Sequence, residues 1–338
     1  MALKIWASLT AIVIGCSSPS PAAKGRVVVA LTIDWEGAYL APEGLDALEQ
    51  LRSRVGDAPM THFVSAAYFT KEPRDASVAA TISRAVRKGD ELALHLHAWK
   101  SLAVAGGVPP KLAPSYLTGT DKLLEFDDGD VGFDTDLDAY SVPELRVLLR
   151  TSRLLLEPTH VRVSRSFRAG AYLGTPKVLQ AIREEGFTVD SSATDARQLE
   201  EPTGEALPRR VKAIWPGVDS TTQPWLVRAP GGPGGGPSGT AGSTDLLEMP
   251  VAALADHATT EDMVAIVEAA FARLQKDPGR DVFVVLELEL EIAQEYAGRI
   301  GDAVDKLRGH RELADRLVFA TVAGAAERAR GSMAPGVK

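Results

Sequence analysis

The stretch Glu91-Leu-Ala-Leu-His-Leu-His-Ala-Trp99 is the segment around which the rest of the chain is organised. It predicts a short buried strand, and strand alternation places His95 and His97 on one face. Residues two apart on a strand lie about 6.6 Å apart along it, so the two imidazoles can lean towards one metal ion. The same pattern also fits two histidines that find hydrogen-bond partners at a strand end.

A second apolar stretch, Val27-Val-Val-Ala-Leu-Thr-Ile33, also predicts a buried strand, and Asp34 and Glu36 follow it. Alternation again places both carboxylates on one face. A nearly continuous apolar strand is typical of a parallel sheet that is covered on both sides. The acidic pair strengthens the interpretation of the histidines as metal ligands.

Composition is that of a folded protein with one large core. The 338 residues are 45% hydrophobic and 24% charged. With 45 acidic and 37 basic residues, the net charge is −8, which argues against a nucleic-acid partner or a broad surface for anionic membranes. A neutral polymer would not be repelled.

The N-terminus predicts export. Lys4 precedes an apolar run over residues 5–14 that is too short to span a bilayer, and the only cysteine, Cys16, follows. Val13-Ile-Gly-Cys16 resembles the lipobox of bacterial lipoproteins, which implies cleavage before Cys16 and acylation of that residue. We therefore expect residues 1–24 to be a signal peptide and tether, and the protein to be lipid-anchored in the cell envelope, at the outer membrane or on the periplasmic side. An ordinary cleaved signal with an incidental cysteine is the alternative.

Beyond residue 24, strand-like and helix-like segments alternate. This order predicts right-handed β-α-β crossovers and a parallel sheet. Seven to eight strands at this length favour an α/β fold, an irregular (β/α) barrel formed by one domain over residues 25–330. The predicted strands are 27–33, 91–97, 62–69, 160–167, 187–192, 246–251, 282–290 and 317–322, and the predicted helices are 43–55, 76–88, 261–275, 292–308 and two that start at the caps Ser141 and Thr175.

Two loop insertions interrupt the alternation, at 103–140 and 195–244. The first holds an acidic run from Glu125 to Asp138, which we interpret as a solvated loop. A calcium loop is the alternative, but the run lacks the glycine and the closing glutamate of a helix-loop-helix site. The second contains the glycine-rich run 231–237, and we expect a mobile insertion because strands resume beyond it.

Polar residues gather at the predicted strand ends. In a parallel barrel the carboxyl ends of the strands meet over one mouth, where substrates bind. The sequence therefore predicts a site at this mouth. Its candidate residues are Asp34, Glu36, His95, His97, Arg168, Tyr172, Asp190 and the segment 287–291.

Four motifs in this order resemble those of the polysaccharide deacetylases, the NodB-homology family. Leu31-Thr-Ile-Asp-Trp-Glu-Gly37 is similar to their opening Thr-Phe-Asp-Asp-Gly motif, and Gly89-Asp-Glu-Leu-Ala-Leu-His95 to their second. Ser166-Phe-Arg-Ala-Gly-Ala-Tyr172 resembles the third, and Gly186-Phe-Thr-Val-Asp-Ser-Ser192 the strand that follows it. The likeness covers roughly residues 26–325.

The resemblance implies hydrolysis of N-acetyl groups on amino sugars of a polysaccharide, with a divalent metal that we expect to be zinc. Carried over by position, Asp34 is the base, Arg168 orients it and His95 is a metal ligand. The backbone N–H of Tyr172 would stand at the oxyanion position. Arg168 pairing a carboxylate across the rim, and Asp190 capping a turn, are the structural alternatives.

The chain departs from the family pattern at three places. Trp35 stands where a second aspartate is expected, and Trp99 where a second histidine is expected. The ligand set we predict is therefore Glu36, His95 and His97, with Asp34 as base or fourth ligand.

The third departure is at the last motif, which lacks its histidine. Glu289, with a raised pKa, is the candidate proton donor in its place. The glutamates at 287–291 are alternatively the charged edge of the next helix, or the site binds sugar without turning it over. His257, in a loop, and His310, at a helix end, are poor replacements.

The expected function is a metal-dependent hydrolase that deacetylates an envelope or extracellular polysaccharide. The alternatives are a degenerate glycan-binding surface lipoprotein and a different barrel metal hydrolase. Several aromatic residues could stack on sugar faces or serve packing instead: Trp35, Trp99, Tyr172, Trp215 and Trp225.

Overall fold

The computed structural model describes residues 24–199, 205–227 and 245–333. Cys16, with the predicted signal peptide, and the glycine-rich run 231–237 lie outside the described residues. The strands are β1 (Val27–Trp35), β2 (Met60–Ser65), β3 (Glu91–Leu96), β4 (Val163–Ala169), β5 (Val189–Asp190), β6 (Trp225–Val227), β7 (Leu246–Glu248), β8 (Ala253–Leu254), β9 (Val282–Glu289) and β10 (Leu317–Phe319). The helices are α1 (Pro42–Val55), α2 (Val78–Ala85), α3 (Lys100–Ala105), α4 (Val142–Leu156), α5 (Pro176–Glu184), α6 (Ala206–Ile214), α7 (Thr260–Lys276), α8 (Ala293–Gly309), α9 (Arg311–Ala314) and α10 (Val322–Met333). Within the described ranges, every helix is too short or too polar to cross a membrane.

All these strands belong to one sheet. Its order is β6-β7-β5-β4-β3-β2-β1-β9-β8, and β10 pairs with the start of β1. The pairings are parallel except that of β6 with β7. The sheet curls into a half-barrel with flanking helices, which confirms the predicted irregular (β/α) barrel.

Each strand presents one face to the outer helices and the other to the inside of the curl. On β1, Leu31 and Ile33 pack in the outer core, whereas Val28 and Ala30 pack in the inner one. Helix α10 contributes Val322 and three alanines to this inner core. The inward positions become polar towards the carboxyl ends of the strands, so functional side chains gather at one mouth.

The start signals of two helices are confirmed. The Ser141 side chain accepts a hydrogen bond from the backbone N–H of Glu144, whose carboxylate binds the Ser141 N–H in return. The Thr175 side chain accepts a hydrogen bond from the Val178 N–H at the start of α5, and Pro176 occupies its first turn.

Several predicted strand boundaries are wrong, including those of β4, which spans Val163–Ala169, and β7, which ends at Glu248. Strand β2 begins at Met60 and gives way to a 3₁₀ turn after Ser65, and β5 ends at Asp190 because the Ser192 hydroxyl binds its carboxylate there. Strand β10 ends at Phe319, and α10 begins at Val322. Small alanine residues give α10 little periodic signal.

The acidic run of the first insertion is solvated only in part. Glu125, Asp127 and Asp128 are exposed, whereas Asp130, Asp134 and Asp136 are buried. Asp134, for example, accepts hydrogen bonds from the Ser115 hydroxyl at 2.5 Å and from the Leu124 N–H at 3.1 Å. Among the described residues these aspartates form no metal-binding group. Their carboxylates replace the missing secondary structure by holding loop backbone in place.

Candidate metal centre

Three side chains converge at the mouth of the curl. Glu36 follows β1, His95 lies on β3 and His97 follows it, and all three are buried. Their ligand atoms lie within 4.8 Å of one another. The His95 Nε2 atom is 3.3 Å from Glu36 Oε1, and His97 Nε2 is 2.5 Å from Glu36 Oε2. The ligand set predicted from the sequence is therefore grouped in space.

The other ring nitrogens fix the tautomers of both histidines. His95 Nδ1 lies 3.1 Å from the carbonyl oxygen of Arg168, and His97 Nδ1 lies 2.8 Å from that of Phe133. A carbonyl oxygen can only accept, so both Nδ1 atoms donate, and in neutral rings both Nε2 lone pairs face Glu36. Metal-binding histidines are commonly held by such bonds from the second ring nitrogen.

The donor set fits a divalent metal. His97 Nε2 is buried and lies against the Glu36 carboxylate without the geometry of a hydrogen bond. In neutral rings, both Nε2 atoms and the carboxylate are acceptors, so a shared cation would satisfy them together. Ligand atoms that surround zinc tetrahedrally at about 2.1 Å lie about 3.4 Å apart, close to the spacing between Glu36 and His95.

The charges of the cluster are tuned by mutual contact. Burial opposes ionisation of Glu36, but His95 and His97 hold the pKa of this carboxyl well below its usual range. Burial would also lower the pKa of His95, yet Glu36 and Asp34 raise it overall. The carboxylate therefore stays ionised and available to a cation.

Asp34 stands beside this cluster in a separate pair. Its Oδ1 accepts a hydrogen bond of 2.6 Å from the fully buried guanidinium of Arg168. Arg168 is itself held by the Thr32 hydroxyl and by Ser191. Burial raises the pKa of Asp34 although Arg168 and His95 lower it, which favours a proton acceptor over a permanently ionised ligand.

The backbone at Tyr172 is strained. Ala171 and Tyr172 have φ angles of 51° and 63°, a left-handed conformation that costs non-glycine residues about 1–3 kcal/mol. The Tyr172 hydroxyl donates to Glu287 at 3.1 Å, and the Trp215 indole donates to the Tyr172 carbonyl at 2.8 Å. These bonds hold the strained backbone at the wall of the cleft.

The glutamates after residue 286 lie inside the curl. Glu287 is fully buried, and half-buried Glu289 faces the cleft beside Asp34, its register partner on β1. Burial, followed by the repulsion of neighbouring carboxylates, raises the pKa of both well above the ordinary value, and that of Glu291 to about 8. The alternative of an exposed helix edge is therefore wrong.

Asp190 is buried behind Arg168 and does not line the cleft. Its Oδ1 accepts from the Ser192 hydroxyl at 2.6 Å, which agrees with the turn-capping alternative. Burial raises its pKa to about 6 and raises the pKa of neighbouring Glu248 well above its ordinary value, with Asp190 adding to the latter shift. The protonated form of Glu248 is therefore favoured beside Asp190.

Three of the four tryptophans considered from the sequence do not offer sugar platforms, and the fourth, Trp225, is half-buried. Trp35 and Trp99 are fully buried, and Trp215 nearly so. The Trp99 indole instead donates to the Glu36 carbonyl at 2.9 Å. Trp99 therefore positions Glu36, a candidate ligand, from the place where the resemblance led us to expect a histidine.

The cleft has a volume of about 220 Å³, and loops supply the residues that sequence reasoning missed. Phe133 stacks on His97 at a ring distance of 4.3 Å, and Tyr116 lies alongside.

His257 also lines the cleft, with its Nε2 3.1 Å from Asp256. The Arg299 guanidinium holds this turn through three carbonyl oxygens, of Ala255, Asp256 and Ala258. Loop residues carry no periodic signal that would place them here.

Solved structures share this fold, although no family model and no curated protein sequence matches the chain. A Mycobacterium smegmatis protein described as a polysaccharide deacetylase has a TM-score of 0.54 and 15% identity, over 94% of this chain and 93% of that one. The Puue allantoinase has a TM-score of 0.51 and 12% identity, over 92% and 93%. The chain therefore has the polysaccharide-deacetylase fold that its motifs implied, a fold that an allantoinase shares.

Proposed function

We propose that this protein is a metal-dependent hydrolase that removes N-acetyl groups from an envelope or extracellular polysaccharide. The observation that carries the proposal is the grouping of the ligand atoms of Glu36, His95 and His97 beside the buried pair of Asp34 and Arg168. Amide hydrolysis needs an electrophilic centre and a nearby base, and one cleft offers candidates for both.

In this proposal each residue has a separate task. When held by Glu36, His95 and His97, a divalent ion, expected to be zinc, polarises the amide carbonyl and lowers the pKa of water. Asp34 takes the proton of the attacking water, while Arg168 fixes one oxygen of Asp34 and so orients the other. The backbone N–H of Tyr172 steadies the developing oxyanion.

Glu289 is the proposed proton donor to the leaving amine. It faces the same cleft as Asp34, and burial raises its pKa, which favours the protonated form that a proton donor needs. His257 is the competing donor because it lines the cleft with a carboxylate partner.

The proposal is tested with purified protein, N-acetylated chito-oligosaccharides and a metal analysis. We expect about one transition-metal ion per chain and release of acetate, both lost in His95→Ala. The matched control is His160→Asn, which alters an exposed histidine at a left-handed position that asparagine tolerates. Acetate release that persists in His95→Ala would refute the assigned site.

Two other outcomes identify a different function for the same cleft. Binding of the oligosaccharide without acetate release, at full metal occupancy, would indicate a glycan-binding protein. Hydrolysis of allantoin without deacetylation would indicate a hydrolase of small cyclic amides, which the fold of the Puue allantoinase and the small cleft favour.

We further propose that the protein is anchored in the cell envelope through lipidated Cys16. The support is the lipobox-like Val13-Ile-Gly-Cys16 after an apolar run. Cys16→Ser is expected to move the protein from the membrane fraction to the soluble fraction, and an unchanged distribution would contradict the anchor.

A further inference from the structure

The two loop insertions meet at a groove next to the metal cleft. Its walls are the loops around Ser115 and Asp138, from the first insertion, and helix α6, from the second. Its volume is about 520 Å³. Tyr116 lines both cavities, and its hydroxyl lies 3.5 Å from His97 Nδ1. A ligand in the groove would therefore adjoin one in the cleft.

The volumes of the two cavities suit different parts of a polymeric substrate. The cleft, at about 220 Å³, is smaller than a usual ligand pocket of about 300–1,000 Å³, whereas the groove falls within that range. The cleft suits the reacting acetamido end of one sugar. The groove suits the neighbouring unit of the same chain.

One cationic side chain of the groove has no ion-pair partner among the residues that the structure describes. Arg210 Nε pairs with Asp136 at 2.7 Å, and Lys177 Nζ lies 3.8 Å from Asp138. Arg209, one residue earlier on α6, lines the groove without an ion pair or a side-chain hydrogen bond to any residue the structure describes. In a chain of net charge −8, this guanidinium is a local site for an anion.

We propose that the groove binds a carboxylate-bearing sugar next to the sugar that is deacetylated, with Arg209 as the residue that recognises the carboxylate. This inference rests on the proposed function, since the groove extends the same cleft. A guanidinium binds a carboxylate through two parallel hydrogen bonds, so an acidic glycan would be preferred over a neutral one of equal length. A uronic acid and a sugar with an ether-linked lactyl group both present this chemistry.

The experiment compares three N-acetylated tetrasaccharides: a neutral one, one with alternating uronic acid and one with alternating lactyl-bearing sugar. Both acidic tetrasaccharides test the same groove, and the one with the higher kcat/KM identifies which kind of carboxylate the groove prefers. We expect kcat/KM to favour an acidic form, and the acidic-to-neutral ratio to fall about tenfold in Arg209→Gln, since a hydrogen bond to a charged group contributes on that scale. Lys212→Gln, an exposed cation on the same helix, is the matched control and should keep the ratio.

Binding measured by calorimetry separates this proposal from the proposed function. One outcome is that no glycan is hydrolysed, that an acidic tetrasaccharide binds more tightly than the neutral one, and that Arg209→Gln removes this difference. Binding of an acidic sugar in the groove would then be supported, and the proposed deacetylation would be wrong. If acetate is released at equal kcat/KM from all three, or Arg209→Gln leaves the ratio unchanged, the groove proposal is overturned and the hydrolase stands.

Discussion

At the scale of single residues, the geometry of the candidate metal centre depends on a glycine as well as on the candidate ligands. Gly170 follows β4, and a Cβ atom built there would lie 2.5–2.6 Å from three ring atoms of His97. Real Cβ contacts are never so short, so glycine is what allows the imidazole to stack on Phe133 and face Glu36.

We predict that Gly170→Ala weakens metal binding about 10–100-fold by displacing the His97 ring, an effect of the size seen when the support of a ligand is altered. Metal titration of the apoprotein measures it. Gly298→Ala is the control, because a Cβ there meets no atom within 4 Å in the exposed face of α8. An unchanged metal affinity in Gly170→Ala would show that His97 is not a ligand.

The pH profile of turnover assigns the proton donor. Burial and neighbouring carboxylates raise the pKa of Glu289, so this acid loses its proton, and activity falls, only as pH rises through that raised value. We expect Glu289→Gln to reduce kcat about 10²–10⁴-fold and to remove the alkaline limb. If His257→Gln removes that limb instead, His257 is the donor.

At the scale of elements, a buried ionic network joins α1, β2 and β3. Arg52 on α1 pairs with Asp90 at 2.7 Å, and its guanidinium also contacts His62 on β2. The Asp90 carboxylate further accepts the backbone N–H of Met60, which starts β2. The sequence contains no periodic signal for this network, because Arg52 and His62 occupy positions where apolar residues are expected.

We predict that Asp90→Asn destabilises the protein by about 3–5 kcal/mol, since it leaves the Arg52 charge buried without a counter-charge. Urea denaturation at pH 7 measures the change. Burial alone would raise the pKa of Asp90, but His62, the Met60 N–H and Arg52 lower it overall. The stabilisation is therefore present above pH 4 and lost as pH falls through the lowered value. The exposed Asp57→Asn change should shift stability by less than about 0.5 kcal/mol.

Strands and helices with a strong apolar period were predictable, and short irregular ones were not. Strand β1 and helix α1 match their predictions closely, because a buried run and a helical stripe of leucines have few alternatives. The end of β5 was misjudged because the Ser192 side chain turns back into the fold, where its hydroxyl binds the Asp190 carboxylate and accepts from the Ala169 N–H. The first insertion was misjudged because its aspartates bind their own loop.

At the scale of the whole molecule, several carboxyl groups with raised pKa values are buried inside the curl. Burial raises the pKa of Asp190 to about 6 and the pKa values of Glu248 and Glu287 well above the ordinary value. Unfolded carboxyls ionise near pH 4. Above that value the folded chain binds more protons than the unfolded chain, so its stability falls as pH rises until these groups ionise in the folded state too.

We predict that Glu248→Gln reduces the loss of folding stability that occurs as pH rises from 5 to 8. Each retained proton costs about 1.4 kcal/mol per pH unit, and the glutamine amide can donate to Asp190 permanently while its oxygen still accepts from Ala193. Thermal denaturation across this range tests it, with the exposed Glu327→Gln as control. An equal slope in both variants would place the retained protons elsewhere.

The candidate site could be predicted where strand alternation determines it. His95 and His97 were placed together because positions two apart share a face, and the same rule placed Asp34 beside Glu36. Alternation gives no information on residues that arrive from loops, such as Phe133 and His257. Nor does it reveal that Trp99 supports Glu36, since only the folded backbone brings that indole to the Glu36 carbonyl.

The two faces of β1 have a consequence for how such a chain diversifies. Even-numbered positions from 28 to 34 point into the curl and odd-numbered ones into the helical layer. A substitution at an even-numbered position can change the side chains at the cleft, while the odd-numbered positions keep their hydrophobic packing against the helices. Deletion of one residue within the strand would move every following side chain to the opposite face of the sheet. Asp34 would then be buried among leucines, and Ile33 would face the cleft. Lineages with this architecture should therefore vary in length only between strands.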